Sequence, residues 1–410
     1  MTDAALRAPL IRNRDYVCLL GAQALSLSGR EIEGLVLPLL VLGLTGSPAQ
    51  VGLVAACQTL PYLLFSLPAG ALIDRSGRRR VMMLCEAVRA LAFATLPLAW
   101  WLGGLAMIQI YLVAAVAGSA FVFHNIAEVS ALPLVVDAAD LPKASSANGV
   151  VEWIGENSGP ALGGVLVGVG RSTVAGAMLA YAVQAGMLVA SLGFLGAIRS
   201  PMRATSQPER RGTLLSEMGE GLRWLWGHPQ IRAMALLAMA LNLIFSPVSL
   251  AMIVLARTSF HAPPAAIGLM FSLAGGAGLT ATLLAPWVRQ RVRLGVIIVG
   301  GVAVWAVGLG LVAASTSMLT LALAWLVMPA SSGIQSVAGV SYRLSLIPEA
   351  MQGRVNSVFR FMAWGVQPAA LAIGGALVGA IGARQTLWLL ALGMTLTAAA
   401  VASSPLRRAV

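Results

Sequence analysis

Residues 70–82 read GALIDRSGRRRVM. They close one apolar run, roughly 50–73, and open another, roughly 80–101, with one acid (Asp74) and four arginines (Arg75, Arg78, Arg79, Arg80) between them. Each run has the ~20 residues that a helix needs to cross a bilayer core. A short arginine-rich turn between two such runs is the pattern of a cytoplasmic loop in a multi-span protein. Gly70 and Gly77 permit close helix approach and a tight turn. Asp74, at a helix end, can accept charge-assisted hydrogen bonds from donors across an interface.

Composition agrees with this reading. Of 410 residues 58% are apolar and only 10% charged, with a mean hydropathy of +0.85. A soluble domain typically carries about 25% charged residues, and disorder requires low hydrophobicity. Cys18, Cys57 and Cys85 all sit in apolar runs, which excludes a disulfide framework. The net charge of +12 comes from short basic clusters between apolar stretches, so a nucleic-acid partner is not expected. Arg7, Arg12 and Arg14 precede a long apolar run with no small-residue cleavage site, which reads as a first span and not as a signal peptide.

The hydropathy pattern predicts twelve helices, at roughly 16–44, 50–73, 80–101, 105–125, 145–169, 174–197, 231–256, 265–288, 294–313, 317–341, 354–380 and 384–402. Gly46-Ser47-Pro48, Gly103-Gly104, Pro263-Pro264, Ser315-Thr316-Ser317 and Gly382 mark joints. With the N-terminus inside, the inner segments hold 21 of the 27 bases and the outer loops hold Arg171, Arg257 and Arg384, which predicts both termini in the cytoplasm. The long polar segment 198–230 ends in an amphipathic stretch (Leu215, Met218, Leu222, Leu225). It divides an N-terminal six-helix bundle, 1–197, from a C-terminal one, 231–410. Asn148/Asn356 and Pro160/Pro368 are both offset by 208 residues, and a glycine pair follows each proline (Gly163-Gly164; Gly374-Gly375), one helical turn out of register. Two parallel repeats with a central linker suit a secondary transporter.

The 70–82 stretch resembles the signature between helices 2 and 3 of the major facilitator superfamily, matched at Gly70, Leu72, Asp74, Arg75, Gly77, Arg78 and Arg79. The resemblance implies an all-α membrane protein, two six-helix bundles related by a pseudo-two-fold axis, and rocking access to a central cavity. It also implies a latch at Asp74 that holds the outward-open state. Gly155-x-x-x-Gly159-Pro160-x-x-Gly163-Gly164 is similar to a motif of proton-coupled drug exporters, whose implied role is to seal the outer ends in the inward-open state. Residues 13–47 and the run QTLPYLLFSLPAGALIDR resemble the twelve-helix branch that includes macrolide-efflux and siderophore-export proteins, which implies a bacterial inner membrane. There are departures. Arg30 stands where that branch often has Asp, Ser146 replaces a motif glycine, and residues 105–125 have no base except His124 where proton-coupled exporters carry an arginine. The second-half counterpart near 285–295 has arginines and no acid.

An ionisable residue in the hydrocarbon region is a functional hypothesis by default. Glu31, Glu33, Glu86, Glu128, Glu152 and Glu156 qualify, all in the first half, whereas the chain from 231 on has only Glu349. Arg30 and Glu33, three apart, are expected to pair, leaving Glu31 free to titrate or to meet another helix's polar atoms. Glu152 and Glu156 share a face beside Trp153, which suits a shared proton, a cationic substrate or a water-filled vestibule. His124 and Glu128 form either a proton-responsive pair or a structural one. Glu86 and Arg89 read as a structural pair. Arg360 either snorkels, stacks on Trp364, or faces the cavity and meets an anionic group. Gln58, Tyr62, Asn125, Asn157, Asn242, Gln335 and Gln367 are candidate cavity contacts or helix–helix hydrogen bonders.

No phosphate-cradling glycine loop and no metal-ligand cluster is present in the sequence, so neither an enzyme, a cofactor nor a metal is expected. The expected function is export of a small amphipathic compound by proton antiport. Glu31, Glu33, Glu152 and Glu156 would handle protons and Arg30 would tune them. Siderophore export, metabolite import and lysophospholipid flipping are alternatives, as is a non-transporting sensor or scaffold. The expected partners are a small-molecule substrate, protons and the lipid bilayer, with the chain acting as a monomer.

Overall fold

The computed structural model describes residues 10–200, 202 and 214–408; the side chains of Asp74 and Arg75 fall outside the described set. The first bundle comprises α1 (Arg14–Thr45), α2 (Pro48–Ser76), α3 (Arg78–Trp101), α4 (Met107–Val135), α5 (Leu141–Val169) and α6 (Thr173–Ala197). A short helix, α7 (Leu214–Gly227), follows. The second bundle comprises α8 (Pro229–Phe245), α9 (Val248–Thr258), α10 (Pro264–Arg291), α11 (Leu294–Ala314), α12 (Met318–Trp325), α13 (Pro329–Leu346), α14 (Glu349–Gly365), α15 (Gln367–Ile381) and α16 (Ala383–Ser403).

Among the described residues, ten stretches are long and apolar enough to cross a membrane. The other two of the expected twelve, α1 and α5, are 32 and 29 residues long. Their charges lower the local hydropathy: α1 carries Arg30, Glu31 and Glu33 in its middle, and α5 carries Lys143, Glu152 and Glu156. Three spans are broken where proline removes a backbone donor. α8 and α9 part at Ser246-Pro247, α12 and α13 before Pro329, and α14 and α15 before Pro368. One boundary differs markedly from the hydropathy reading. α4 runs to Val135, not 125, because His124 and Glu128 turn inward to buried partners instead of marking an exit to water.

Side chains start and stop the helices. Asn13, Ser47, Ser172 and Ser317 accept a backbone N–H at the starts of α1, α2, α6 and α12. Gly77 makes the turn from α2 to α3 with a positive φ, a region closed to most side chains. Asp15 accepts from the backbone N–H groups of Arg199 and Ser200, and Arg79 donates to the carbonyls of Leu195 (2.8 Å) and Gly196 (2.6 Å). These contacts close the exit of α6 onto the arginine-rich, or proximal, end of the molecule.

The bundles meet along α5–α10 and α2–α15. Small residues make this possible, since they let backbones approach without intervening side chains. A Cβ on Gly375 would lie 2.7 Å from Gly52 Cα, and one on Gly164 would lie 3.1 Å from Ala265 Cα. Both contacts sit at the distal end, away from the arginines. Arg257 reinforces it by donating to Thr173 Oγ1 across the bundles (3.1 Å). The glycine pairs of the internal repeat share one division of labour despite their offset register. Gly163 and Gly374 pack within their own bundles, on Ile32 and Val36 and on Pro247, while Gly164 and Gly375 face the opposite bundle.

Candidate substrate and proton site

A cavity of about 350 Å³ lies between the bundles. α1 reaches it at its midpoint, since Arg30 stands halfway along the helix. The first bundle supplies Arg30, Glu31, Glu33, Gln58, Tyr62, Arg89, Phe121 and Asn125, and the second supplies Arg360, Trp364 and Gln367. Of the residues singled out from sequence, Gln58, Tyr62, Asn125, Arg360, Trp364 and Gln367 therefore converge with the α1 charges.

The α1 charges pair differently from expectation. Arg30 Nε lies 3.6 Å from Glu31 Oε1, and its guanidinium stacks on Phe121 at 4.4 Å from the ring centroid. Both side chains are long enough to splay into the same opening although their Cα positions differ by ~100° around the helix. Glu33 turns instead into the bundle and is only 3% exposed. Its two oxygens accept from Gln58 Nε2 at 2.6 Å and Gln184 Nε2 at 3.3 Å. Gln184, fully buried on α6, escapes the sequence reading; its signal is a lone amide in an otherwise apolar span.

Glu152 and Glu156 are exposed and interact electrostatically with Glu31, but they do not line this cavity. Trp153 donates from Nε1 to the Gly275 carbonyl (3.4 Å), and Asn157 donates back to the Trp153 carbonyl (2.6 Å), so both belong to the α5–α10 seam. Arg360, for which the sequence left snorkelling, stacking on Trp364 and facing the cavity open, borders the cavity. It donates to Tyr62 Oη across the bundles at 3.1 Å.

Trp364 also borders a second cavity of about 420 Å³ within the second bundle. Phe245, Trp305 and Phe359 give it an aromatic wall, and Asn242, Gln335 and Arg343 give it polar groups. Phe245 packs on Trp305 and Trp325 with ring centroids 4.8 and 5.8 Å apart. Trp364 is thus common to a charged cavity between the bundles and an aromatic-walled one within the second bundle.

His124 and Glu128, the pair that the sequence places one turn apart on α4, do not line the cavity between the bundles. His124 Nδ1 is 3.3 Å from Glu86 Oε1 and its Nε2 is 3.7 Å from Glu128 Oε2. Arg89 Nη1 is 3.6 Å from the same Glu86 oxygen and donates to Ser26 Oγ at 2.9 Å. The two pairs read separately from sequence form one buried group. Breaking such a group exposes an uncompensated charge, so Arg89→Ala is expected to cost about 3–5 kcal/mol. A thermal-unfolding scan of the purified protein checks this.

The sequence profile of the Major Facilitator Superfamily matches residues 19–367. The chain belongs to this superfamily. It is 26% identical over 407 residues to the multidrug efflux pump Tap of Mycobacterium tuberculosis, across 92% of this chain and 90% of Tap. It is 28% identical over 387 residues to the enterobactin exporter EntS of Citrobacter koseri, across 89% of this chain and 84% of EntS. Among solved structures, a bacterial homologue of the iron transporter ferroportin in an inward-facing state superposes with a TM-score of 0.76 at 18% identity, covering 96% of this chain and 98% of that one. The nucleoside transporter NupG superposes with a TM-score of 0.71 at 12% identity, covering 95% of this chain and 98% of that one. These structures share the fold.

The motifs of this Major Facilitator Superfamily transporter divide between two tasks. At the proximal end, Arg78 is buried and donates to Ser130 Oγ at 3.0 Å, so it ties α3 to α4 within one bundle. The expected latch at Asp74 and Arg75 falls outside the described side chains, and Gly70 has open space where a Cβ would be. On α5, Gly155, Gly159 and Gly163 pack against α1 at Leu27, Glu31 and Ile32, whereas Pro160 and Gly164 meet α10. The motif therefore fixes the height of the α1 charges as well as contributing to the distal seam.

Proposed function

We propose that this transporter exports a small amphipathic compound in exchange for protons. The observation that carries the reading is that one residue, Trp364, borders two cavities of unlike lining. Arg30, Glu31 and Glu33 border the central cavity, and Trp364 joins it to the aromatic space lined by Phe245 and Trp305. An amphipathic molecule lays its rings on the aromatic wall and its charge near the acids. A carboxyl group there exchanges a proton for that charge as the bundles rock.

With the arginine-rich end in the cytoplasm, the sealed distal end faces outward and the cavity opens inward. In this reading the α5 motif and the α2–α15 contact are the outer seal. The test is proteoliposome transport of ethidium under an imposed pH gradient. Wild type is expected to accumulate ethidium against its gradient, and Glu31→Gln to do so more slowly. Equal gradient-driven rates would remove Glu31 from the mechanism.

A second reading, export of an anionic siderophore, is favoured by one observation. Arg30 and Arg360 are both exposed and both border the cavity. Arg360→Gln distinguishes the readings. It is expected to leave ethidium transport unchanged if the cargo is cationic, and to abolish transport of an anionic catecholate if the cargo is a siderophore.

A further inference from the structure

Of the buried group formed by Glu86, Arg89, His124 and Glu128 only Arg89 borders the cavity above, and the composition of the group is unusual for a packing element. Glu86 is 0%, Arg89 1% and His124 2% exposed. Glu86 lies about two turns into α3, and Glu128 about two turns before the end of α4, so the group sits between the cavity and the proximal end. Both carboxylate oxygens of Glu86, Nδ1 of His124, Oε1 of Glu128 and Nε of Arg89 are buried without a hydrogen-bond partner. Burying polar atoms in this condition is costly, and a static structural role would be served better by apolar side chains.

Charge balance shows what the arrangement suits. Arg89 is a permanent cation. Glu86 and Glu128 as carboxylates would leave the group with one net negative charge. One added proton neutralises it, either on His124, as an imidazolium between two carboxylates, or on Glu128, as a neutral acid facing a neutral imidazole. The ring stands where both forms are reachable, with one nitrogen toward each glutamate. Losing that proton leaves an unbalanced charge in low dielectric, so occupancy is linked to how far Glu128, the most exposed member at 13%, can reach water.

We propose that Glu86, His124 and Glu128 together hold one exchangeable proton beside the fixed cation Arg89, and that this is a coupling site of the transporter on the proximal side of the cavity. Groups on the neighbouring helices act on it. α3 adds Cys85 beside Glu86 and His124, and α5 adds Glu152, which acts on Glu128. α1 adds Glu33, on which Arg89 also acts, and Arg30 behind it. The charged residues of α2, Asp74 and Arg75, stand at its last turn, and α6 carries none. Arg89 thus acts on two acid sets at once, Glu86 below and Glu33 at the cavity wall, so a proton gained on one side changes the hold of Arg89 on the other.

The proposal rests on the proton-coupled reading for its role in transport, but the proton site itself is tested without any substrate. Infrared difference spectra of the purified full-length protein, between about pH 5 and about pH 8, report protonated carboxyl and imidazolium bands. Glu128→Gln and His124→Gln are each expected to remove or displace a titrating band of the wild type. Titrations identical to wild type in both variants would overturn the proposal. Glu86→Gln alone leaves Arg89 without its carboxylate, so the double variant Glu86→Gln/Arg89→Gln, which keeps the wild-type charge balance, is the folded control; it is expected to displace the band, and an unmoved band would remove Glu86 from the site.

In proteoliposomes, His124→Gln is expected to lose pH-driven ethidium accumulation and to keep ethidium exchange at equal pH, a split that a packing defect would not produce. Retained accumulation would overturn the coupling role. If wild type moves no ethidium, that failure belongs to the export reading, and the spectra still decide the proton site.

Discussion

Replacing Gly375 with leucine is expected to abolish transport while leaving a folded, membrane-inserted protein. Even a Cβ at this position would lie 2.7 Å from Gly52 Cα and 2.8 Å from the Pro48 carbonyl oxygen. The obstacle is backbone, so no rotamer change relieves it, and α2 and α15 must separate. Forcing side-chain atoms into a well-packed contact costs about 1–3 kcal/mol. As a bias between two conformations, that is a factor of roughly 5–150. A transporter that must close this seam once per cycle is held with the seam open. Spin labels at Ser47→Cys and Arg384→Cys, in a background without the native cysteines, are expected to move apart relative to the unsubstituted seam. Ethidium transport is expected to fall to the level of protein-free liposomes. Gly300→Leu is the control, since nothing lies within 4 Å of a Cβ there. Unchanged label distances in the Gly375 variant would mean that the α2–α15 contact is not part of the moving seal.

The span pattern is open to sequence reading because hydropathy and arginine placement are properties of single segments, whereas the site depends on pairs. A helical wheel puts Arg30 and Glu33 on one face, but it does not show that Gln58 and Gln184 wait for Glu33, the second from 151 residues away. Likewise Glu86–Arg89 and His124–Glu128 each read correctly as near neighbours on a helix. Their fusion into one group depends on how α3 packs against α4, which no local pattern encodes. The misplaced end of α4 has the same cause, since His, Asn and Glu close together look like an exit to water until their buried partners are known. By contrast, Gln58, Tyr62, Asn125, Arg360, Trp364 and Gln367 are recoverable as cavity residues. A polar or aromatic side chain in an apolar span has few other places to go when lipid surrounds the bundle.

Glu33→Gln is expected to separate transport from its driving force. In the native protein both carboxylate oxygens accept amide donors, from Gln58 at 2.6 Å and Gln184 at 3.3 Å, in a position only 3% exposed. Glutamine keeps the shape and one acceptor, and a flip of the Gln58 amide turns its oxygen toward the new donor. The fold is therefore expected to survive with little change in unfolding temperature. What is lost is the exchangeable proton. In proteoliposomes, pH-driven ethidium accumulation is expected to drop to the protein-free background, while exchange of labelled for unlabelled ethidium at equal pH continues. Glu33→Leu should behave differently. It strands the fully buried Gln184 amide at about 1–3 kcal/mol, so unfolding temperature and exchange should fall together. The contrast between the two variants distinguishes a coupling carboxyl from a structural one. If Glu33→Gln still concentrates ethidium against its gradient, protons do not act through this residue, and the acids that remain at the cavity wall are reduced to Glu31.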